Sequence, residues 1–292
     1  VDDQPVSRVR PRLHVTYCFA RATHTYLDMD AGRDFEREII VKVNAPEVAR
    51  AQLSKAAWGR EHVALGTNTD PYQWVESRYR LMPGIWEALR DTRTPCSVLT
   101  KSPLVLRDLA LLCELRDAVG FTAALSIPTL EEKAWRASEP HTPHPRTRIE
   151  AVAELTRNGI PTSVLVAPLM PGINDDPRQV EEILQRCTEA GARSVGGIAL
   201  HLRGETRGVF MDWLKSYRPD LVERYEELYA RGAYLPAREK QRLSGMLRRS
   251  SLWREDGAME QPDAPARPLT GHGGDGAERA RPQPRPRQAS LF

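Results

Sequence analysis

Cys18 lies in the run Thr16-Tyr17-Cys18-Phe19-Ala20-Arg21, directly after an aromatic residue. A thiolate is a soft ligand suited to iron–sulfur chemistry, where clusters take four such ligands, or three when one iron is kept for substrate. The other cysteines, Cys96, Cys113 and Cys187, are far apart and lack C-x-x-C spacing. Each also reads as a small buried hydrophobe, and for a lone Cys18 that reading stays open. A second group of reactive residue types follows a series of apolar runs. It comprises Thr67-Asn68-Thr69-Asp70, Lys101-Ser102, Ser126, Pro168 to Asn174, and His201-Leu202-Arg203-Gly204-Glu205. A lysine at an internal strand end requires an anionic partner to justify its place. Gathered on one rim, these loops form a pocket for a polar ligand. They contain no nucleophile–base pair, and the seven histidines do not cluster, so an ordinary metal-independent lyase or transferase ranks lowest.

The elements that must position these residues are regular from about residue 36. Ile39 to Val43 is a short β-branched run, followed by a helical pattern over 47–57. Apolar runs at 62–66, 96–100, 121–127, 162–167 and 194–200 have the length and composition of buried parallel strands. Helical patterns at about 75–91, 104–118, 146–158 and 177–190 separate them. Asn158-Gly159 and Ala190-Gly191 read as helix stops, and Asp176-Pro177 as a cap followed by proline in the first turn. Alternating strands and helices predict an α/β fold, a parallel sheet or barrel whose chemistry sits at the C-terminal ends of the strands. Residues 206–248 read as helical, with Phe210, Trp213, Leu214, Tyr217, Leu221, Tyr225 and Leu228 as a core-packing stripe.

The 292 residues suit one large domain or two ordinary ones, and a net charge of +3 is too small to imply nucleic-acid binding by itself. No apolar run approaches the roughly 18 residues needed to span a bilayer, so no membrane partner is expected. The four dispersed cysteines give no disulfide framework, and a reducing cytoplasm is the expected location.

The combination of YCFAR, GTNTDPYQ, YRLMPGI, LTKS, SIPT and APLMPGIND resembles the radical S-adenosylmethionine (SAM) proteins related to spore photoproduct lyase, most closely their actinobacterial Rv2578c-type branch. The similarity runs from about Thr16 to Arg249. It implies a partial (β/α)6 TIM-like barrel with SAM across the strand tips, C-terminal helices, and a [4Fe–4S] cluster reduced by an electron donor. In that family the cluster loop reads C-x-x-x-C-x-aromatic-C. Cys18 matches its third ligand, and Pro11 and Val15 stand where the other two would be. The resemblance implies that Tyr17 packs near cluster and adenine, and that Thr67, Asn68, Thr69 and Asp70 meet the SAM amino group. It further implies that Lys101 and Ser126 approach the carboxylate and ribose, and that Pro168 to Asn174 borders adenine. Arg148, like Arg146, could pair with the SAM carboxylate or be a solvated charge opening a helix. The family's reaction is reductive cleavage of SAM to a 5′-deoxyadenosyl radical, with the cofactor carrying the hard step.

Four regions are expected: an atypical or truncated N-terminus at 1–15, from a wrong start, a shifted frame or evolutionary loss; a barrel at 16–205; helices at 206–250; and a disordered tail at 251–292. Residues 255–292 hold six prolines and five glycines with few apolar side chains. They end in Gln288-Ala289-Ser290-Leu291-Phe292, similar to the peptide by which bacterial DNA-processing proteins dock on the β sliding clamp. The basic stretch before it could brush DNA phosphates or be a solvated linker. Two readings follow. One is a radical SAM enzyme of the photoproduct-lyase-like group, acting on DNA, with a damaged cluster site. The other is a non-catalytic, clamp-associated DNA-repair protein that retains the barrel.

Overall fold

The β-branched run at 39–42 finds a partner strand near the start of the chain. Strands β1 (Val6–Val9) and β2 (Ile39–Lys42) form an antiparallel ribbon with Val9 opposite Ile39. A strand at Val6–Val9 lies in a segment where the sequence indicates neither strand nor helix; its partner is distant in sequence and no local pattern announces it. The computed structural model describes residues 6–9, 15–21, 34–35 and 38–252. The clamp-like residues Gln288, Ser290, Leu291 and Phe292, and the cluster-loop position Pro11, lie outside the described residues.

After helix α1 (Ala45–Leu53) comes the main sheet. Its strands β3 (Val63–Leu65), β4 (Cys96–Thr100), β5 (Phe121–Ser126), β6 (Thr162–Leu169) and β7 (Ser194–Ala199) are parallel and adjacent in sequence order. This is the expected α/β partial barrel, with five parallel strands among the described residues. The connecting helices are α2 (Glu76–Tyr79), α3 (Leu81–Asp91), α4 (Leu109–Val119), α5 (Glu132–Ser138), α6 (Pro145–Arg157) and α7 (Pro177–Glu189). Helices α8 (Thr206–Tyr217), α9 (Val222–Leu228) and α10 (Ala237–Leu247) complete the fold. No helix among the described residues is long and apolar enough to cross a membrane.

Period-two alternation gives the sheet two unlike faces. Val98, Ala123, Leu125, Val164, Val166 and Val195 belong to the main core. The alternate residues Ala124 and Leu165, with Leu99 and Ala167, form a separate small cluster. Small and hydroxylated side chains continue that second face: Ser163 and Ser194 bond through their hydroxyls at 2.7 Å, and His62 Nε2 lies 2.9 Å from Ser97 Oγ.

Local signals explain the element ends. Asp176 caps α7, its Oδ1 accepting from the amides of Arg178 (3.0 Å) and Gln179 (3.1 Å). Gly159 and Gly191 take positive φ after α6 and α7. The helical pattern over 75–91 is two helices because Arg80 adopts a left-handed conformation at φ 50°. Glu76 holds the break, its carboxylate accepting from the amides of Leu81 and Met82, each at 3.0 Å. The pattern over 104–118 begins instead with a 3-10 turn, Pro103–Asp108. At β7, a Cβ on Gly197 would collide with Leu247 Cδ1, so glycine lets α10 lie against the strand. The β7 amide of Val195 donates to the Leu252 carbonyl at 2.7 Å. Phe210, Leu214, Leu221 and Tyr225 are buried, as the helical stripe predicts.

Candidate functional site at the strand tips

The C-terminal tips of β4, β5 and β6 are tied side by side. Lys101, one residue beyond β4, donates from Nζ to Ser126 Oγ at 2.9 Å, and Ser126 Oγ donates to the Ala167 carbonyl at 3.2 Å. The anionic partner that a lysine requires here is Glu139, whose Oε1 lies 2.8 Å from Lys101 Nζ. Tyr17 reaches the same carboxylate, its phenol donating to Oε1. Arg148 approaches from the other side, Nη2 donating to Oε2 at 2.7 Å. Lys101 Nζ also stands 5.6 Å from the centre of the Tyr17 ring, a cation–π contact. Two cations therefore face one carboxylate, and the Lys101 side chain is 22% exposed whereas Glu139 is fully buried.

Burial opposes ionisation of Glu139, but the charges of Arg148 and Lys101 override it and hold the carboxyl down at about 2. Burial, and then Glu139 beside it, pushes the Tyr17 phenol well above its ordinary range. Both shifts keep Tyr17 a neutral donor and Glu139 a charged acceptor at neutral pH.

Arg148 is one of the largest fully buried side chains, and its donors are committed. Nε donates to the Pro143 carbonyl (2.9 Å), Nη1 to the Ser126 carbonyl (2.8 Å), and Nη2 also to Thr142 Oγ1 (2.8 Å). It orders the rim from below, whereas Arg146 is exposed on the first turn of α6. Asp70 is likewise engaged within the chain. Its Oδ1 accepts from Thr100 Oγ1 (2.6 Å) and the Tyr72 amide (2.9 Å), and Oδ2 from the Lys101 amide (2.7 Å). Asp70 thus fastens its loop to the tip of β4, while Thr67, Asn68 and Thr69 project as exposed residues. Behind this loop the Tyr72 hydroxyl donates to Asp108 (2.9 Å) and accepts from Trp86 Nε1 (2.7 Å).

Asn174 is buried and stitches two loops together. Its Nδ2 donates to the carbonyls of Pro128 (2.8 Å) and Pro168 (2.9 Å), and its Oδ1 accepts from the Met170 amide (2.6 Å). The structure therefore gathers Tyr17, Lys101, Ser126 and Arg148 around one carboxylate, with Asn174 bracing the neighbouring loop. Glu139, the carboxylate at the centre of this cluster, is the residue that sequence reasoning does not assign to the site. The Glu139-Pro140 pair after a short helix marks its place, but nothing local reveals that residues 38 and 122 positions away converge on it.

Cys18 sits beside Tyr17 in a turn, where the Cys18 amide donates to the Val15 carbonyl (3.4 Å) and the Thr206 hydroxyl to the Cys18 carbonyl (3.3 Å). Burial raises its thiol above the ordinary range, against opposing pulls from the Ala20 amide, Lys101 and Arg21. Cys96 and Cys187 are buried in the core, and Cys113 packs against it. Among the described residues no three metal-ligating side chains come together. Of the three positions that the family's cluster loop fills with cysteine, only Cys18 carries a thiol here; Val15 and Pro11 have no ligand atom in their side chains.

Comparisons with known proteins place this geometry. The Radical SAM superfamily model matches residues 16–187. Uncharacterized protein Rv2578c of Mycobacterium tuberculosis is 45% identical over 227 residues, covering 78% of this chain and 67% of the relative; Mb2609c of Mycobacterium bovis matches equally. Among solved structures, a spore photoproduct lyase variant with bound AdoMet and dinucleoside spore photoproduct superposes with a TM-score of 0.58. That match has 17% identity and covers 83% of this chain and 71% of the other, a likeness of fold. With its parallel sheet, its rim of polar strand tips and its aromatic–cysteine turn, the chain belongs to the radical SAM superfamily of enzymes.

Proposed function

We propose that this chain binds SAM across the tips of β4, β5 and β6, as a photoproduct-lyase-like protein acting on DNA, and that it is defective in holding the family's [4Fe–4S] cluster. The observation that carries the SAM reading is the surplus cation at the rim. Glu139 neutralises one of its two cationic partners, and the ammonium of Lys101 remains partly exposed beside the Ser126 hydroxyl. That arrangement suits the carboxylate of an amino-acid moiety. Tyr17 offers an aromatic face at the same place, and Asn174 fixes the loop that borders the adenine position in the family.

When bound, the cluster supplies the electron that cleaves SAM in this superfamily; the donor set here accounts for one of its thiolates. The chain's own residues bind and orient. Arg148 and Tyr17 fix Glu139, Glu139 aims Lys101, and Asp70 holds the β4 tip. The DNA reading rests on the fold likeness and on the clamp-like tail; the β sliding clamp is the partner that tail would engage.

SAM titration by calorimetry tests the binding site: Lys101→Met should weaken SAM at least about tenfold, and an unchanged affinity would remove Lys101 from it. Anaerobic iron–sulfur reconstitution tests the cluster. Iron well below about four per chain, with no EPR signal after reduction, is expected; a full cluster that cleaves SAM would show that other ligands replace the missing thiolates.

A further inference from the structure

We propose that the ring line Phe19–His201–Tyr234, its outer rings exposed and His201 half-buried between them, is with the flanking Arg203 and Lys240 a docking surface for single-stranded nucleic acid at the mouth of the strand-tip site. The inference rests on the DNA reading above for its choice of polymer and adds the surface that reading lacks. Phe19 directly follows Cys18, and its ring lies 6.1 Å from that of His201, the residue pair bridging the Cys18 turn to the tip of β7. His201 in turn lies 5.9 Å from Tyr234, with which it forms an isolated antiparallel bridge. The Leu202 amide donating to the Ala233 carbonyl at 2.8 Å fastens that bridge. Phe19 and Tyr234 are 46% and 47% exposed, two of the four large hydrophobic side chains left open among the described residues. Scattered exposed aromatics need no explanation, but adjacent ones sharing a rim with a site do.

Charge completes the surface. The Arg203 guanidinium stands 5.0 Å and Lys240 Nζ 5.6 Å from the centre of the Tyr234 ring. Both cations are exposed, and neither has an ion-pair partner among the described residues. Burial, then Arg203, holds His201 below its ordinary range, so its ring is neutral at neutral pH. Aromatic faces with interleaved cations match a polymer of stacked rings joined by phosphates. A lipid surface would call for a continuous apolar face, and an acidic peptide makes no use of three rings in line.

The test is fluorescence anisotropy of the full chain with a labelled oligothymidine 12-mer, across a salt series. Tyr234→Ala and Phe19→Ala should each weaken binding about tenfold. Arg203→Ala with Lys240→Ala should make the salt dependence shallower. Unaltered thermal unfolding of Tyr234→Ala and Lys240→Ala, with SAM affinity unchanged, separates lost docking from lost folding. Wild-type binding that all these variants leave intact would overturn the surface while leaving the DNA reading standing. A hairpin duplex bound as tightly, with the same sensitivity to the variants, would overturn the single-strand assignment. A wild-type chain that binds no oligonucleotide would remove both.

Discussion

Glu139 Oε2 lies 2.7 Å from Arg148 Nη2, and neither side chain has any exposure to solvent. A pair so buried is costly to form but more costly to break, because removing one partner leaves the other charged and uncompensated. Glu139→Gln should therefore destabilise the chain by about 3–5 kcal/mol. A lowered urea midpoint with an unchanged m-value would show it.

The same carboxylate gives the fold an acid limit. Its ordinary value is 4.5 and its folded value about 2, so folding favours the ionised form. The stability it contributes is complete above pH 4.5 and is lost as pH falls from there toward 2. Urea midpoints measured between pH 5 and 2 should fall for the wild type and fall less steeply for Glu139→Gln. Parallel slopes would show that other carboxylates set the acid limit.

Asp70 accepts three hydrogen bonds and donates none. Asp70→Asn turns an amide NH2 toward donors, so the loop from Gly66 to Tyr72 should lose its hold on β4. The expected cost is about 1–3 kcal/mol, with a loss of SAM affinity as Lys101 loses its fixed backbone. Thermal unfolding and calorimetric titration read the two effects separately.

Gly66 has φ +88°, and a Cβ there would overlap the Leu99 carbonyl. Gly66→Ala combines backbone strain with a clash against a backbone atom that cannot swing aside. A loss of about 2–3 kcal/mol is expected, whereas Gly208→Ala, inside α8 with open space around it, should be neutral or slightly stabilising. Their melting temperatures check the contrast.

The five strands of the parallel sheet were legible because buried parallel strands announce themselves by composition: 96–100 is β4 from end to end, and the run at 121–127 overshoots β5 by one residue. Helix α5 was not, since seven residues are too few to establish a period. The single helix expected over 75–91 failed at Arg80, a left-handed residue whose conformation is imposed by Glu76 capping the next helix. In the site, Lys101 and Ser126 were identifiable from their place at strand ends. The commitment of Arg148 to Glu139 was not, because their convergence depends on how the α5–α6 connection folds beneath β5.

Strand β7 stands at the end of the sheet order, where a row of backbone groups would ordinarily face outward. One of them, the Val195 amide, is already spoken for by Leu252, and Gly197 lets α10 close over the same strand. At this edge the chain thereby takes up one of the groups on which a strand from another polypeptide would build. A version cut short before Leu252 would expose that group and should self-associate, so the last turn of described structure guards colloidal behaviour as much as it completes the core.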